Sequence, residues 1–211
     1  MHWTKEDIKK ANRIERLNVI NGLTGIKPAN LIGSISSNGH ENLAIFSSVV
    51  HLGSNPAILG FIIRPSTDVP RNTYENILES GFYTINHVHA SSVEKAHFTS
   101  AKFPKDISEF EKCGLNPEYK NNFKAPFVKE STVKIGMRFI EEIPIPINGT
   151  SLIVGEIEHI FIPDEYMEEG GHINLESSSS TGVSGLNSYY KLQKTRQFPY
   201  ARASELPAFD Q

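Results

Sequence analysis

From Ala29 onward the chain is built of short apolar runs, each closed by turn-forming residues, and this punctuation constrains the fold more than any other feature. Leu31 to Ser36, Leu43 to His51 and Ala57 to Ile63 are divided by Ser-Ser-Asn-Gly at 36–39 and by Gly-Ser-Asn-Pro at 53–56. Runs of this length between Gly, Pro, Asn and Ser clusters predict three successive strands. Phe82 to Val88 predicts another. Further on, Thr132 to Ile143 leads through Pro144 and Pro146 into Asn148-Gly149, and Leu152 to Ile162 returns. That is a strong hairpin signal, and the sequon spelled by Asn148-Gly149-Thr150 is read as turn chemistry.

Helices are fewer and short. Residues 5–21 place Ile8, Ala11, Ile14, Leu17 and Val19 mostly near helical period, which predicts an N-terminal amphipathic helix or arm. Thr73 to Gly81 reads as a helix with Asn72 or Thr73 as its N-cap and Gly81 as its stop. Ser108-Glu109-Phe110-Glu111 has the capping-box pattern and starts a second helix ending at Cys113-Gly114, after a polar stretch from Ala96 to Asp106. An acidic patch, Asp164 to Glu169, a Ser-rich loop at 177–180 and the pair Tyr189-Tyr190 follow the hairpin. Strands joined by hairpins, with helices as decorations, predict a mainly β, antiparallel barrel with a few peripheral helices. The expected organisation is an arm over 1–25, one domain over 26–200 and a tail over 201–211.

Composition narrows the function. In 211 residues, 21 basic and 24 acidic side chains leave a net charge of -3, which gives no basic footprint for nucleic acid or an anionic membrane. No apolar stretch approaches a membrane span. The single cysteine, Cys113, excludes an intramolecular disulfide framework, and the N-terminus alternates charge where a secretory signal would be apolar. The expected compartment is the cytoplasm. Neither Gly-x-Gly-x-x-Gly nor a Walker A sequence occurs, which argues against a Rossmann or P-loop site.

Two stretches offer binding chemistry. Asn42-Leu43-Ala44-Ile45-Phe46-Ser47-Ser48 combines a strand edge, with its backbone donors and acceptors, and two terminal hydroxyls; pattern alone favours a buried strand that ends at a hydroxyl-rich turn. Phe61-Ile62-Ile63-Arg64-Pro65 ends a strand on a guanidinium, and Arg71-Asn72-Thr73 sets another at a helix start. A planar guanidinium fork and free helix N–H groups suit a phosphate, although an isolated Arg-Asn-Thr also describes a solvated loop with a routine N-cap.

The ordered blocks Asn42 to Ser48, Gly53-Ser54-Asn55-Pro56, Phe61-x-x-Arg64-Pro65 and Arg71-Asn72-Thr73-x-x-Asn76-Ile77 resemble the flavin reductase-like, FMN-binding split-barrel family. The resemblance continues through Gly81 to Asn86, Ala96-His97-Phe98-Thr99-Ser100 and Val154 to Ile157, and so spans roughly 27–162. It implies a Greek-key split barrel and a noncovalent FMN whose ring lies along Asn42 to Phe46. Ser47, Ser48, Arg64 and Thr73 would meet its phosphate, with Arg71 and Asn72 nearby. It also implies a homodimer in which NAD(P)H reduces the flavin, and the flavin passes electrons to free flavin, oxygen or a partner. One departure bears on the donor. Many active reductases of the family carry an acidic residue and a histidine just before the strand matching Leu152 to Ile162, where this chain reads Gly149-Thr150-Ser151. A flavoredoxin-like electron carrier without NAD(P)H activity is therefore the alternative, and a non-enzymatic ligand-binding barrel the rival from another class.

The remaining polar residues carry less. His87 and His89 share a strand face with His97 close by, but no carboxylate or cysteine joins them at short spacing, so no metal site is expected. Cys113 suits packing more than nucleophilic chemistry. Tyr189 or Tyr190 could cover a flavin or pack on the barrel, and His97 could approach it.

Overall fold

The computed structural model describes residues 2–65 and 71–208. Helices α1 (Lys5–Lys10) and α2 (Arg13–Gly22) precede strands β1 (Lys27–Pro28), β2 (Asn30–Ile35), β3 (Glu41–Phe46), β4 (Val50–Ser54) and β5 (Ala57–Ile63). Helix α3 (Asn72–Ser80), β6 (Phe82–His87), α4 (Val93–Phe98), α5 (Glu109–Cys113), β7 (Pro117–Glu118) and β8 (Phe127–Val128) follow. The long hairpin is β9 (Lys134–Ile145) and β10 (Thr150–Phe161), and the short strands β11 (Met167–Glu168), β12 (His172–Ile173), β13 (Thr181–Ser184) and β14 (Ser188–Lys191) close the chain.

Seven strands form one antiparallel sheet in the order β3-β2-β6-β9-β10-β5-β4. Its outermost strands, β3 and β4, are consecutive in the chain and joined by residues 47–49, so the sheet rolls until its two edges meet at that corner. The edges do not pair with each other. This is a mainly β, antiparallel split barrel, in which α3 carries the chain from β5 across to β6, beside β2.

Alternation decides what faces inward. Ile32, Phe61, Ile63, Tyr83, Ile85, Met137 and Ile153 fill the barrel, with Phe61 edge-on to Phe46 at 5.0 Å and to Tyr83 at 5.6 Å. Alternate residues Leu31 and Leu43 face outward into a second core, where Ala96 of α4 and Phe110 of α5 cover them. The helices therefore shield the outer side of β2 and β3 and leave the free edge of β3 beside them.

Several expectations change in detail. The run Leu43 to His51 is two strands, because Ser48 Oγ accepts the Ile62 N–H (3.1 Å) and donates to the Ile62 carbonyl (3.3 Å), pinning the corner to β5. The N-terminal periodicity breaks into α1 and α2 because Asn12 leaves helical geometry and its side chain accepts the Glu15 N–H at 2.9 Å. Helix α3 stops at left-handed Gly81 (φ 74°) as its sequence demands, but Arg71 occupies the N-cap position in place of Asn72 or Thr73. Ser108 precedes α5 without bonding its backbone, so the capping box does not form. The polar stretch after Ala96 begins inside α4. The hairpin turns through residues 146–149, with Thr150 opposite Ile145 and Gly149 at φ 71°. Among the described residues no helix is long and apolar enough to cross a membrane.

Candidate functional site

The free edge of β3 has a direction that one hydrogen bond fixes. Leu43 N–H donates to the Glu109 carboxylate of α5 at 3.0 Å, so it points away from β2. In an antiparallel ladder the backbone groups alternate sides, so Leu43 C=O and both backbone groups of Ile45 point the same way, while those of Asn42, Ala44 and Phe46 face β2. The side chains divide perpendicular to this: Leu43 is buried outward under α5, and Phe46 packs inside the barrel.

Asn42 is buried, and its side-chain amide donates to Thr73 Oγ1 at 2.8 Å. Thr73 spends an acceptor there and keeps its hydroxyl proton to donate elsewhere. The same stretch of α3 is fastened twice more, by Asn76 Nδ2 to Ser34 Oγ (3.1 Å) and by Tyr74 OH to the Glu142 carboxylate (2.6 Å). The bond to Glu142 raises the Tyr74 pKa, and bonds from Ser151 and Tyr74 lower that of Glu142. The start of α3 is thus held rigidly against β2, β3 and β9.

That start is open. The N-cap residue Arg71 makes no side-chain cap bond, and the first intrahelical bond is Glu75 N–H to the Arg71 carbonyl at 2.9 Å. Backbone N–H groups and the positive end of the helix dipole are available there. Arg71 Nε lies 3.5 Å from the Pro65 carbonyl, and the exposed Arg64 precedes that proline. The Asn72 Oδ1 atom is buried with no donor among the described residues. Ser48 lies beside Ile62, two residues before Arg64, but its hydroxyl is occupied by the β5 backbone; Ser47 is half-buried in the corner. Residues 66–70, between Pro65 and Arg71, lie outside the described residues.

The structure therefore joins Asn42 to Thr73 directly, sets Arg71 against the Pro65 carbonyl and bonds Ser48 to Ile62 of β5, two residues before Arg64. It gives Arg64 no partner among the described residues. Gly149 at the hairpin tip lies against Pro65, and Asn148 Oδ1 accepts both the Thr150 N–H (3.1 Å) and its hydroxyl (2.8 Å).

Two contacts have no signature in the sequence. Glu109 touches β3, as described. Tyr189 of β14 packs on the same outer core as Ile45, and its hydroxyl meets His97 Nδ1 at 3.1 Å, with the rings edge-on. His87 and His89 diverge: His87 Nδ1 meets Ser180 Oγ at 3.0 Å, and His89 Nδ1 meets Ser91 Oγ at 2.7 Å. Burial lowers the His87 pKa to about 4, so its ring is neutral. Cys113 is half-buried, its pKa raised by burial and by the nearby Glu109 charge. Two surface concavities, one beside Ser180 and Lys191 and one beside Lys129 and Phe161, include none of the predicted binding residues.

The family model for the flavin reductase like domain matches residues 26–176. A Shewanella frigidimarina protein with a split-barrel domain, classed among flavin reductases, is 47% identical, superposes with a TM-score of 0.91 and covers 95% of this chain and 100% of its own. Two more distant structures share the fold. Flavoredoxin of Desulfovibrio vulgaris is 19% identical, with a TM-score of 0.73, covering 86% of this chain and 94% of its own. An FMN-binding domain of a flavin reductases-like enzyme from Shewanella baltica is 18% identical, with a TM-score of 0.65, covering 82% and 90%. The family match reaches from the strand before the free β3 edge to beyond the long hairpin, and this chain belongs to the flavin reductase-like, split-barrel family.

Proposed function

We propose that this protein is an FMN-dependent oxidoreductase that takes electrons from NAD(P)H and passes them, through noncovalently bound FMN, to free flavin, oxygen or a protein partner. The observation that carries this reading is the Asn42–Thr73 bond, which fixes the free edge of β3 and the uncapped start of α3 as one unit. A flavin nucleotide needs both a flat edge of backbone donors and acceptors and an anion site. The first turn of α3 supplies N–H groups and positive potential, Thr73 a hydroxyl proton, and Arg64 and Arg71 charge-assisted hydrogen bonds. The orphaned Asn72 Oδ1 is an acceptor suited to a ribityl hydroxyl. Bound FMN would supply the redox chemistry, accepting hydride from a nicotinamide and relaying electrons. The chain's own residues bind, orient and keep the ring against β3.

The protein is proposed to work as a cytoplasmic homodimer. Val50 and Leu52 are exposed on edge strand β4, and Leu52 and Leu152 flank Gly60 on the outer sheet face, an apolar surface suited to a second copy.

Arg64→Ala and Thr73→Ala are each expected to weaken FMN binding by about 1.5–3 kcal/mol, on the order of 10- to 100-fold in Kd. Titration of FMN fluorescence measures this, and wild-type affinity in both variants would contradict the phosphate assignment. A carrier without NAD(P)H activity is favoured by the hairpin tip, where Thr150 spends its hydroxyl on Asn148 and no histidine stands. Steady-state oxidation of NADH and NADPH separates the two: a reductase turns over at least one of them, a carrier neither.

A further inference from the structure

A carboxylate buried without a cation is costly, because hydrogen bonds replace its lost hydration only in part. Glu109 is such a group. It is 5% exposed, and among the described residues no lysine, arginine or histidine pairs with it. The neighbouring Ser108 Oγ is buried without a partner among the described residues. The carboxylate accepts the Leu43 N–H at 3.0 Å. Burial raises its pKa, and its charge in turn helps raise that of Cys113, one helical turn on. A glutamine would accept the same N–H without the ionic penalty. What distinguishes a glutamate from a glutamine here is the charge, set directly at the free edge of β3.

We propose that Glu109 is a positioning residue for the flavin. By occupying the Leu43 N–H, it leaves the Leu43 carbonyl and the Ile45 backbone as the groups the edge offers, and it places a negative charge at the same strand edge that carries the ring. The inference rests on the FMN reading above. A fixed negative charge disfavours added electron density on a nearby ring, so Glu109 holds the reduced cofactor less tightly than the oxidised one.

The test compares the full-length wild type with Glu109→Gln and Glu109→Ala, using FMN as the probe. Three quantities are read: FMN affinity, the midpoint potential by dye-coupled reduction, and hydrogen exchange at the Leu43 amide. Glu109→Gln keeps the acceptor and removes the charge. It should preserve Leu43 protection and favour reduced over oxidised FMN about tenfold relative to wild type, an upward shift of ~30 mV for a two-electron couple. Glu109→Ala should expose the Leu43 amide to exchange and weaken FMN binding. A wild-type potential in Glu109→Gln, with any loss confined to melting temperature, would show a structural cap only and overturn the proposal while leaving FMN binding intact. A wild type that binds no FMN would overturn the flavin reading itself, and this proposal with it. Should Glu109→Ala fail to fold, Glu109→Gln decides alone.

Discussion

Gly33→Ala is expected to destabilise the protein by about 3 kcal/mol, the upper part of the range for an added methyl in a packed interior. Gly33 lies in β2, between β3 and β6, with Leu43 opposite it on one side and Thr84 on the other. A Cβ added there would lie 2.2 Å from the Pro126 carbonyl oxygen and 2.7 Å from Thr84 Oγ1. Neither neighbour can yield cheaply. The Thr84 hydroxyl donates to that same carbonyl at 2.7 Å, and the segment is tied again two residues later, where Val128 N–H donates to Asn86 Oδ1 at 3.0 Å. Making room for the methyl would strip these bonds or move a backbone that covers the sheet. Urea unfolding should show a lower midpoint with an unchanged slope. Gly22→Ala is the control: its Cβ would meet nothing closer than 4.0 Å, at the end of α2, and its midpoint should not fall. Equal midpoints for Gly33→Ala and wild type would contradict the packing of residue 126 over β2.

The second large effect is on acid stability. The His87 ring is held neutral in the fold, its pKa lowered by burial from 6.5 to about 4. Below pH 6.5 the unfolded chain takes up a proton that the folded chain refuses, so the unfolded state gains. The contribution is fully present above 6.5, falls as the pH drops, and changes no further below about 4. Its size is about 3 kcal/mol. Glu109 acts in the opposite sense, because its raised folded pKa makes the fold gain as that carboxylate protonates. Comparing wild type with His87→Gln isolates the histidine. Glutamine can still bond Ser180, and urea midpoints from pH 8 to 4 should fall less steeply in the variant. Parallel curves would show that His87 is charged in the fold.

Legibility in the sequence followed the range of the interaction. Local signals read well: β5 spans Ala57–Ile63 with the predicted bounds, and the strand-to-strand hairpin and the Gly81 stop follow from turn chemistry and left-handed glycine. Failures occurred where a side chain is claimed by a residue far along the chain. Thr73 reads as an N-cap, but Asn42, 31 positions earlier, bonds its oxygen, and the N-cap position falls to Arg71, which makes no side-chain cap bond. Ser48 looks like the end of a strand until Ile62 shows that it anchors a corner. For the candidate site, the residue types were legible and their pairing was not. Asn42 and Thr73 each offer binding chemistry in the sequence without sign that they touch, and Glu109 reads as part of a helix cap although its carboxylate turns inward to Leu43. His97 and Tyr189 stand out singly in the sequence, and a separation of 92 positions hides their contact.

The central claim is that the free edge of β3 and the open start of α3 hold FMN. Its most direct test is the visible absorbance spectrum of the purified full-length chain, before and after incubation with FMN and removal of the excess. The account predicts bound flavin at about one per chain, released intact on unfolding because it is held without a covalent bond. A chain that is colourless when purified and retains no flavin after incubation would contradict it.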